Sequence, residues 1–293
     1  MIDISKLSYF KTSLLKFLFK IGENCPSCNS NESFTLETKF LITSLKRCKN
    51  CFLLYRTPTT SVGENKDFYQ EEYQQGFTTD CPNDDELKKL IESNFDNHEK
   101  NYSNYLNVLN VLNNKKDHKS NLFDYGCSWG YGSFQLKKLF NVVGYEISTP
   151  RADYARKKLD INVLNTSELK KIENNKDKFD FFFMSHVLEH LPKPSDTLNF
   201  GLNVLKKDGY LLSITPNGSL EHKKHNPNWS KLWGMVHPNL IDEKFYQKFF
   251  SNKKYYIGSN PFNLNNINNY IINNKNFIDD LSGSELMIII KNI

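Results

Sequence analysis

Apolar and polar positions alternate with two different periods along the chain, and the change of period marks its parts. From residue 118 onward, short apolar runs read as strands: Leu122 to Tyr125, "NVVGYEIS", "INVLN", Phe179 to Met184, "GYLLSITPN", "KKYYIGS" and "ELMIIIK". Helical spacing lies between several of them, as in Phe134, Leu136 and Leu139 or in "DEKFYQKFF". Strand and helix in alternation predict a doubly wound α/β sheet. Phe179 to Met184 is apolar without interruption, as a strand buried on both faces requires. The Asn-rich "NPFNLNNINNYIINNKN" reads as a loop between the last two strands, with a composition that carries no function of its own. Upstream, Leu90, Phe95, Tyr102, Tyr105, Leu109 and Leu112 predict a helical connector within 61–117. Leu7, Phe10, Leu14, Phe17 and Ile21 recur at helical spacing within 1–22, with Lys6, Lys11 and Lys20 elsewhere around the turn. That amphipathic helix would pack on the protein itself or on a second copy in a homodimer; weak contact with a membrane surface is the alternative.

Cysteine spacing adds a module over 23–60. Cys25 and Cys28 form one C-x-x-C pair and Cys48 and Cys51 another, with residues 29–47 able to fold as a hairpin between them. Two such knuckles predict a four-cysteine zinc ribbon whose structural Zn2+ has no open position for catalysis. Two disulfides would need an oxidising compartment, and nothing here predicts export. Cys81 and Cys127 lack paired partners and a visible activating base.

In "NLFDYGCSWGYGSFQLKKLF" a strand gives way to Gly126-x-Ser128-x-Gly130-x-Gly132 and then a helix. Glycines there let a ligand approach the backbone amides of a helix start. Asp124 at the strand end would repel a pyrophosphate and suits a ligand bearing positive charge and hydroxyls. Glu146 ends the next strand, where an acid accepts both hydroxyls of a ribose. Adenosine without phosphates is implied. As strand-end and helix-start acids, the two would be merely structural.

His186, Glu189 and His190 spell H-x-x-E-H, the pattern of an inverted zinc peptidase. That chemistry needs both histidines on one face of a sustained helix, and Pro192 and Pro194 oppose one. The segment instead lies at the carboxyl end of the apolar strand, where open α/β sheets place ligands. His186 is expected to line that pocket, with Glu189 and His190 structural or facing the substrate.

"FDYGCSWGYG" together with "VVGYEIS" resembles the first two motifs of class I S-adenosylmethionine-dependent methyltransferases, and "DKFDFFFMSHVLEHLPKP" resembles a later segment of the same family. Ser128 stands where many members have glycine. The resemblance implies a seven-stranded Rossmann-like sheet of order 3-2-1-4-5-7-6 over 118–293, its last strand antiparallel. It implies S-adenosylmethionine as cofactor, held by Asp124, Gly126, Ser128, Gly130, Glu146, Ile147, Ser185 and His186. A zinc ribbon, a tyrosine-bearing segment and this sheet in succession resemble bacterial methyltransferases of capsule, O-antigen and deoxysugar pathways. By that resemblance Tyr69 and Tyr73 cap the active site, or else pack as plain aromatics. His237 would be the catalytic base, with His190 a second catalytic candidate and His222 and His225 in the same loop. Deoxysugar C-methyltransferases of this group have a Glu-His pair at that place, and here Val236 precedes His237. O-methylation of a nucleotide-sugar or glycan is therefore expected over C-methylation, with N-methylation of an aminosugar left open.

Bulk composition changes the picture only by exclusion. The 293 residues carry 38 basic and 33 acidic side chains, a net charge of +5. Nearly all the basic residues are lysines, which lack the planar fork that reads bases and phosphates, so no nucleic-acid partner is expected. RNA methylation guided by the ribbon lacks the aromatic and arginine pattern it would need. No apolar run approaches the roughly 20 residues that span a bilayer. Lys11, Lys16 and Lys20 interrupt the N-terminal stretch, which has no small-residue cleavage site, and a cytoplasmic enzyme is expected. A scaffold built on a degenerate sheet is the reading from another class, and the intact Asp124, Gly126, Gly130 and Glu146 oppose it.

Overall fold

The computed structural model describes residues 4–67, 80–113, 119–173 and 177–293. Tyr69 and Tyr73 lie outside the described residues. Helix α1 (Ile4–Leu18) forms, but the stripe picked out by the spacing is not its inward side. Leu7, Phe10, Phe17 and Ile21 are exposed and Leu14 is half-buried, whereas Ser13 is buried. The helix docks by polar contacts instead: Lys16 Nζ donates to Thr59 O at 2.9 Å and pairs with Glu64 at 2.6 Å, while Arg56 lies 5.0 Å from the Tyr9 ring.

Strands β1 (Ser33–Lys39), β2 (Thr43–Cys48) and β3 (Leu54–Thr57) form an antiparallel meander around the cysteine knuckles. Helices α2 (Val62–Asp67), α3 (Asp84–Glu92) and α4 (Ser103–Leu112) follow. The connector is thus not one helix. Asn94, Phe95 and Asn97 take φ of 52°, 60° and 54°. This left-handed turn swings Phe95 into a buried cluster beside Trp129, which a continuing helix could not do.

Thereafter strand and helix alternate: β4 (Ser120–Tyr125), α5 (Tyr131–Leu136), β5 (Phe140–Tyr145), α6 (Thr149–Leu159), β6 (Asn162–Leu164), α7 (Thr166–Glu173), β7 (Phe179–Ser185), α8 (Pro194–Val204) and β8 (Leu205–Pro216). Among themselves, these five strands pair in parallel. Phe179 to Met184 in β7 are all buried, as continuous apolarity requires. The chain continues through α9 (Leu220–His225), β9 (Asn239–Leu240), α10 (Glu243–Phe249), β10 (Tyr255–Ser259), α11 (Leu264–Asn273), β11 (Phe277–Ile278) and β12 (Glu285–Lys291).

The main sheet has the order β11-β10-β12-β8-β7-β4-β5-β6, with β12 antiparallel to both β8 and β10. It holds eight strands where seven were expected. The additional one is the two-residue edge β11, which directly follows the Asn-rich stretch read as a loop. That stretch forms α11, capped by Asn263, whose side chain accepts from the backbone N–H groups of Asn265 and Asn266. Ile267 and Tyr270 are buried and Ile271 half-buried on one face, so three apolar residues at helical spacing outweigh the poor helix propensity of asparagine.

Strand β9 does not join the main sheet. It pairs antiparallel with β3, giving the cysteine module a four-stranded sheet of order β1-β2-β3-β9. Residues 23–60 and 118–293 therefore share a sheet. They also share a core, in which Cys25 and Cys48 belong to the buried cluster that contains Met184, Leu188, Ile241 and Tyr246.

Candidate active site

Strand β4 ends in the glycine turn, and the backbone there shows why glycine is needed. Gly126 has φ 83°, and a Cβ on it would lie 2.5 Å from Val187 Cγ2. Gly130 has φ 90°, and its Cβ would meet Ala155 at 2.8 Å. Ser128, at φ 52°, occupies the left-handed region although it is not glycine. Glu146 offsets that strain: its Oε2 accepts from Ser128 N at 2.9 Å and its Oε1 from Ser148 N at 2.8 Å. Burial raises the Glu146 pKa against the lowering effect of these amides.

A cavity of about 540 Å3 opens at the carboxyl ends of the parallel strands, with Gly126, Ser128, Glu146, Ile147, Ser185 and His186 in its wall. Asp124 and Gly130 stand behind that wall. The buried Asp124 carboxylate accepts from Ser133 Oγ at 2.5 Å, tying β4 to α5. Burial, reinforced by Glu146 and opposed by Ser133, pushes its pKa up to about 7. In the wall, Ser128 Oγ is buried without a hydrogen-bond partner among the described residues. A side-chain-free approach at Gly126, an orphaned hydroxyl and a carboxylate with unused lone pairs fit a ribose and its attached chain.

After β7 the H-x-x-E-H segment leaves the strand through His186 at φ 53° and a 3-10 turn, Leu188–His190; α8 starts only at Pro194. The peptidase arrangement of two histidines on one sustained helix is absent. His186 Nε2 lies 2.8 Å from Glu285 Oε1, which also accepts from the Tyr105 hydroxyl at 2.7 Å. Partial burial disfavours charge on His186, whose side chain is 44% exposed, but Glu189 and Glu285 outweigh it and hold the pKa at about 10. Glu285 was not foreseen, because nothing local distinguishes the first residue of a closing strand.

The fold brings His190 and His237 together. Their ring centroids are 4.6 Å apart at 75°, and both line the cavity. His190 Nδ1 donates to Val236 O and His237 Nδ1 to Leu232 O, each at 2.9 Å. Each carbonyl can only accept, so in both rings Nδ1 carries a proton, and the lone pair of the neutral ring is on Nε2. Burial lowers the His190 pKa to about 4, which keeps the ring neutral. Glu189, buried beside them, joins the group. The other loop histidines are elsewhere: His222 Nδ1 donates to Ser282 O at 2.8 Å, and exposed His225 lies 3.4 Å from Glu221. Cys81 and buried Cys127 have thiols pushed up by burial, the wrong direction for nucleophiles.

The cysteine module holds the segment that carries His237. Arg56 N donates to Pro238 O at 2.7 Å, β9 completes the small sheet, and Asn239 Nδ2 ties it to Leu191 O at 2.6 Å. Trp229, Trp233 and Leu240 pack on Leu45 and Leu54 of the module. Within the module, Cys25 Sγ lies 3.5 Å from Cys51 Sγ and Cys28 Sγ 3.5 Å from Cys48 Sγ. All four sulfurs fall within 4.8 Å of one another. Four thiolates around zinc at about 2.3 Å stand about 3.8 Å apart, so the cluster is compatible with a tetrahedral metal site. A disulfide needs about 2.05 Å, and all four cysteines are free.

Residues 95–255 match a family model described as a methyltransferase domain. No curated protein matches the sequence. Among solved structures, the plantazolicin methyltransferase BpumL in complex with SAH aligns at TM-score 0.50 and 17% identity, over 78% of this chain and 95% of its own. Geranyl diphosphate C-methyltransferase from Streptomyces coelicolor A3(2), in complex with Mg2+, geranyl diphosphate and S-adenosyl-L-homocysteine, aligns at TM-score 0.50 and 13% identity, over 80% of this chain and 100% of its own. At these identities the likeness is one of fold.

Proposed function

The chain belongs to the methyltransferase-domain family, and from that premise, an S-adenosylmethionine-dependent enzyme, we propose that it methylates a saccharide hydroxyl on a nucleotide-sugar or glycan. The observation that carries this reading is the sharing of one cavity by the glycine-turn wall and the His190–His237 pair. S-adenosylmethionine supplies a methyl group on a sulfonium; the new C–O bond forms as the C–S bond breaks, and its electron pair returns to sulfur. Gly126, Ser128 and Glu146 hold the adenosine portion, and Ile147, Ser185 and His186 complete that side. Asp124 acts from behind by fixing the turn through Ser133. His237 Nε2 accepts the acceptor's hydroxyl proton, while the Leu232 carbonyl keeps the ring in the tautomer able to do so. The four cysteines bind a structural zinc that keeps this segment in place.

Calorimetric titration with S-adenosylhomocysteine, followed by methyl-transfer assays over a panel of nucleotide-sugars, tests the proposal. Micromolar cofactor-product binding with turnover on a sugar hydroxyl, lost in His237→Ala, is the expected result. Turnover confined to non-saccharide acceptors would refute the substrate assignment, and full activity in His237→Ala would refute the base.

A further inference from the structure

We propose that Glu189, His190 and His237 form a second metal site, separate from the four cysteines, which takes a divalent first-row transition ion at the wall of the cavity. The ligand atoms of the three side chains lie within 4.8 Å of one another. In a tetrahedral set with bonds of about 2.1 Å the ligand atoms stand about 3.4 Å apart, so side-chain shifts of about an ångström bring this cluster into coordination.

Glu189 supplies the independent reason. Its side chain is 1% exposed, and neither carboxylate oxygen has a hydrogen-bond partner among the described residues. The neighbouring imidazoles stand off, His186 Nδ1 at 3.6 Å and His190 Nε2 at 3.7 Å. Protonated His186 faces this carboxylate only at ion-pair distance, so both buried oxygens still lack the direct contact that a bound metal ion supplies.

The histidines are prepared in the way ligating histidines are. Each donates Nδ1–H to a backbone carbonyl, Val236 O or Leu232 O, which fixes the ring and leaves Nε2 as the nitrogen able to bind a metal. Two imidazoles and one carboxylate make an open set, with the remaining positions facing the cavity that both histidines line. Four thiolates close a site; this one leaves room for a ligand oxygen.

The consequence for chemistry rests on the methyl-transfer reading, although the site itself does not. An acceptor hydroxyl bound to the ion becomes more acidic and can lose its proton to water, so oxygen attacks the methyl carbon without His237 accepting the proton.

The test uses the zinc-loaded full chain, so that the cysteines are occupied, and titrates it with MnCl2 while free Mn2+ is followed by electron paramagnetic resonance. One Mn2+ per chain in the wild type is expected, with affinity at least about tenfold weaker in both Glu189→Gln and His237→Gln. Wild-type binding no tighter than that of His237→Gln, whose ring lies at the cavity rather than in the core, would overturn the site. S-adenosylhomocysteine titration of the same samples separates the two proposals. Cofactor binding with Mn2+ binding supports methyl transfer and the metal site together, with His237 then a ligand in place of the base, whereas Mn2+ binding without cofactor binding upholds the metal site and sinks the methyl-transfer reading.

Discussion

Arg47 and Asp242 form a 2.6 Å ion pair with both side chains buried, and through it the cysteine module grips the start of α10. Asp242 Oδ1 also accepts from Phe245 N and caps that helix, while Arg47 Nη1 donates to Phe52 O in a knuckle. Removing the guanidinium leaves a buried carboxylate without its ion-pair partner. Arg47→Ala is therefore expected to lose about 3–5 kcal/mol in urea unfolding. A loss below about 1 kcal/mol would mean that the two parts are not coupled through this pair.

The same coupling predicts how loss of the proposed zinc acts on the enzyme. Strand β9, which follows His237, hydrogen-bonds to β3 at Leu54 and Tyr55, and the sulfur cluster closes the turn from β2 into β3 beside that pairing. Cys51→Ser should release zinc, lower the melting temperature and reduce turnover. The glycine-turn wall lies on the main sheet, so affinity for S-adenosylhomocysteine should change little. Parallel loss of both properties would show that the module supports the whole fold instead of the His237 segment.

Glu146 joins the two halves of the proposed cofactor wall, bonding Ser128 N and Ser148 N at once. Charge-assisted hydrogen bonds contribute about 1.5–3 kcal/mol each, and every 1.4 kcal/mol is a factor of ten. Glu146→Ala is expected to weaken S-adenosylhomocysteine about 10- to 100-fold by calorimetry, partly because Ser128 then loses what holds its left-handed backbone. Binding within about twofold of wild type would place the ribose elsewhere.

Local patterns foretold the parts of the molecule that are locally determined. Cysteine spacing located the sulfur cluster, and the switch of period around Gly126 located the turn, since each depends on neighbours in sequence. The apolar run at Phe179 to Met184 likewise located a central strand. Sequence could not say which side of α1 faces inward, because its partners are Thr59, Glu64 and Arg56, far along the chain. It obscured α11, where asparagines surround the Ile267 and Tyr270 spacing. It gave no hint that β9 would join β3, or that Glu285 would meet His186, since both are long-range pairings. Glu189 was visible as a letter of H-x-x-E-H, but its want of hydrogen bonds is a property only of the folded environment.

The Asp124–Ser133 contact predicts an inverted pH dependence for this part of the core. A carboxylate whose pKa rises on folding binds its proton more tightly in the folded state, so ionisation opposes folding. With the Asp124 pKa near 7 in the fold and about 3.9 in the unfolded chain, its contribution is neutral below about pH 4. It becomes unfavourable between about pH 4 and 7 and stays constant above. Asparagine cannot ionise, yet its amide oxygen can still accept from Ser133 Oγ. The stability of Asp124→Asn relative to wild type should therefore rise from near zero at pH 4 to about 2–4 kcal/mol at pH 8, without cofactor. Urea unfolding of both proteins across that range measures it. A difference that stays flat would mean that Asp124 remains ionised in the fold throughout, sustained by a cation or water near Ser133.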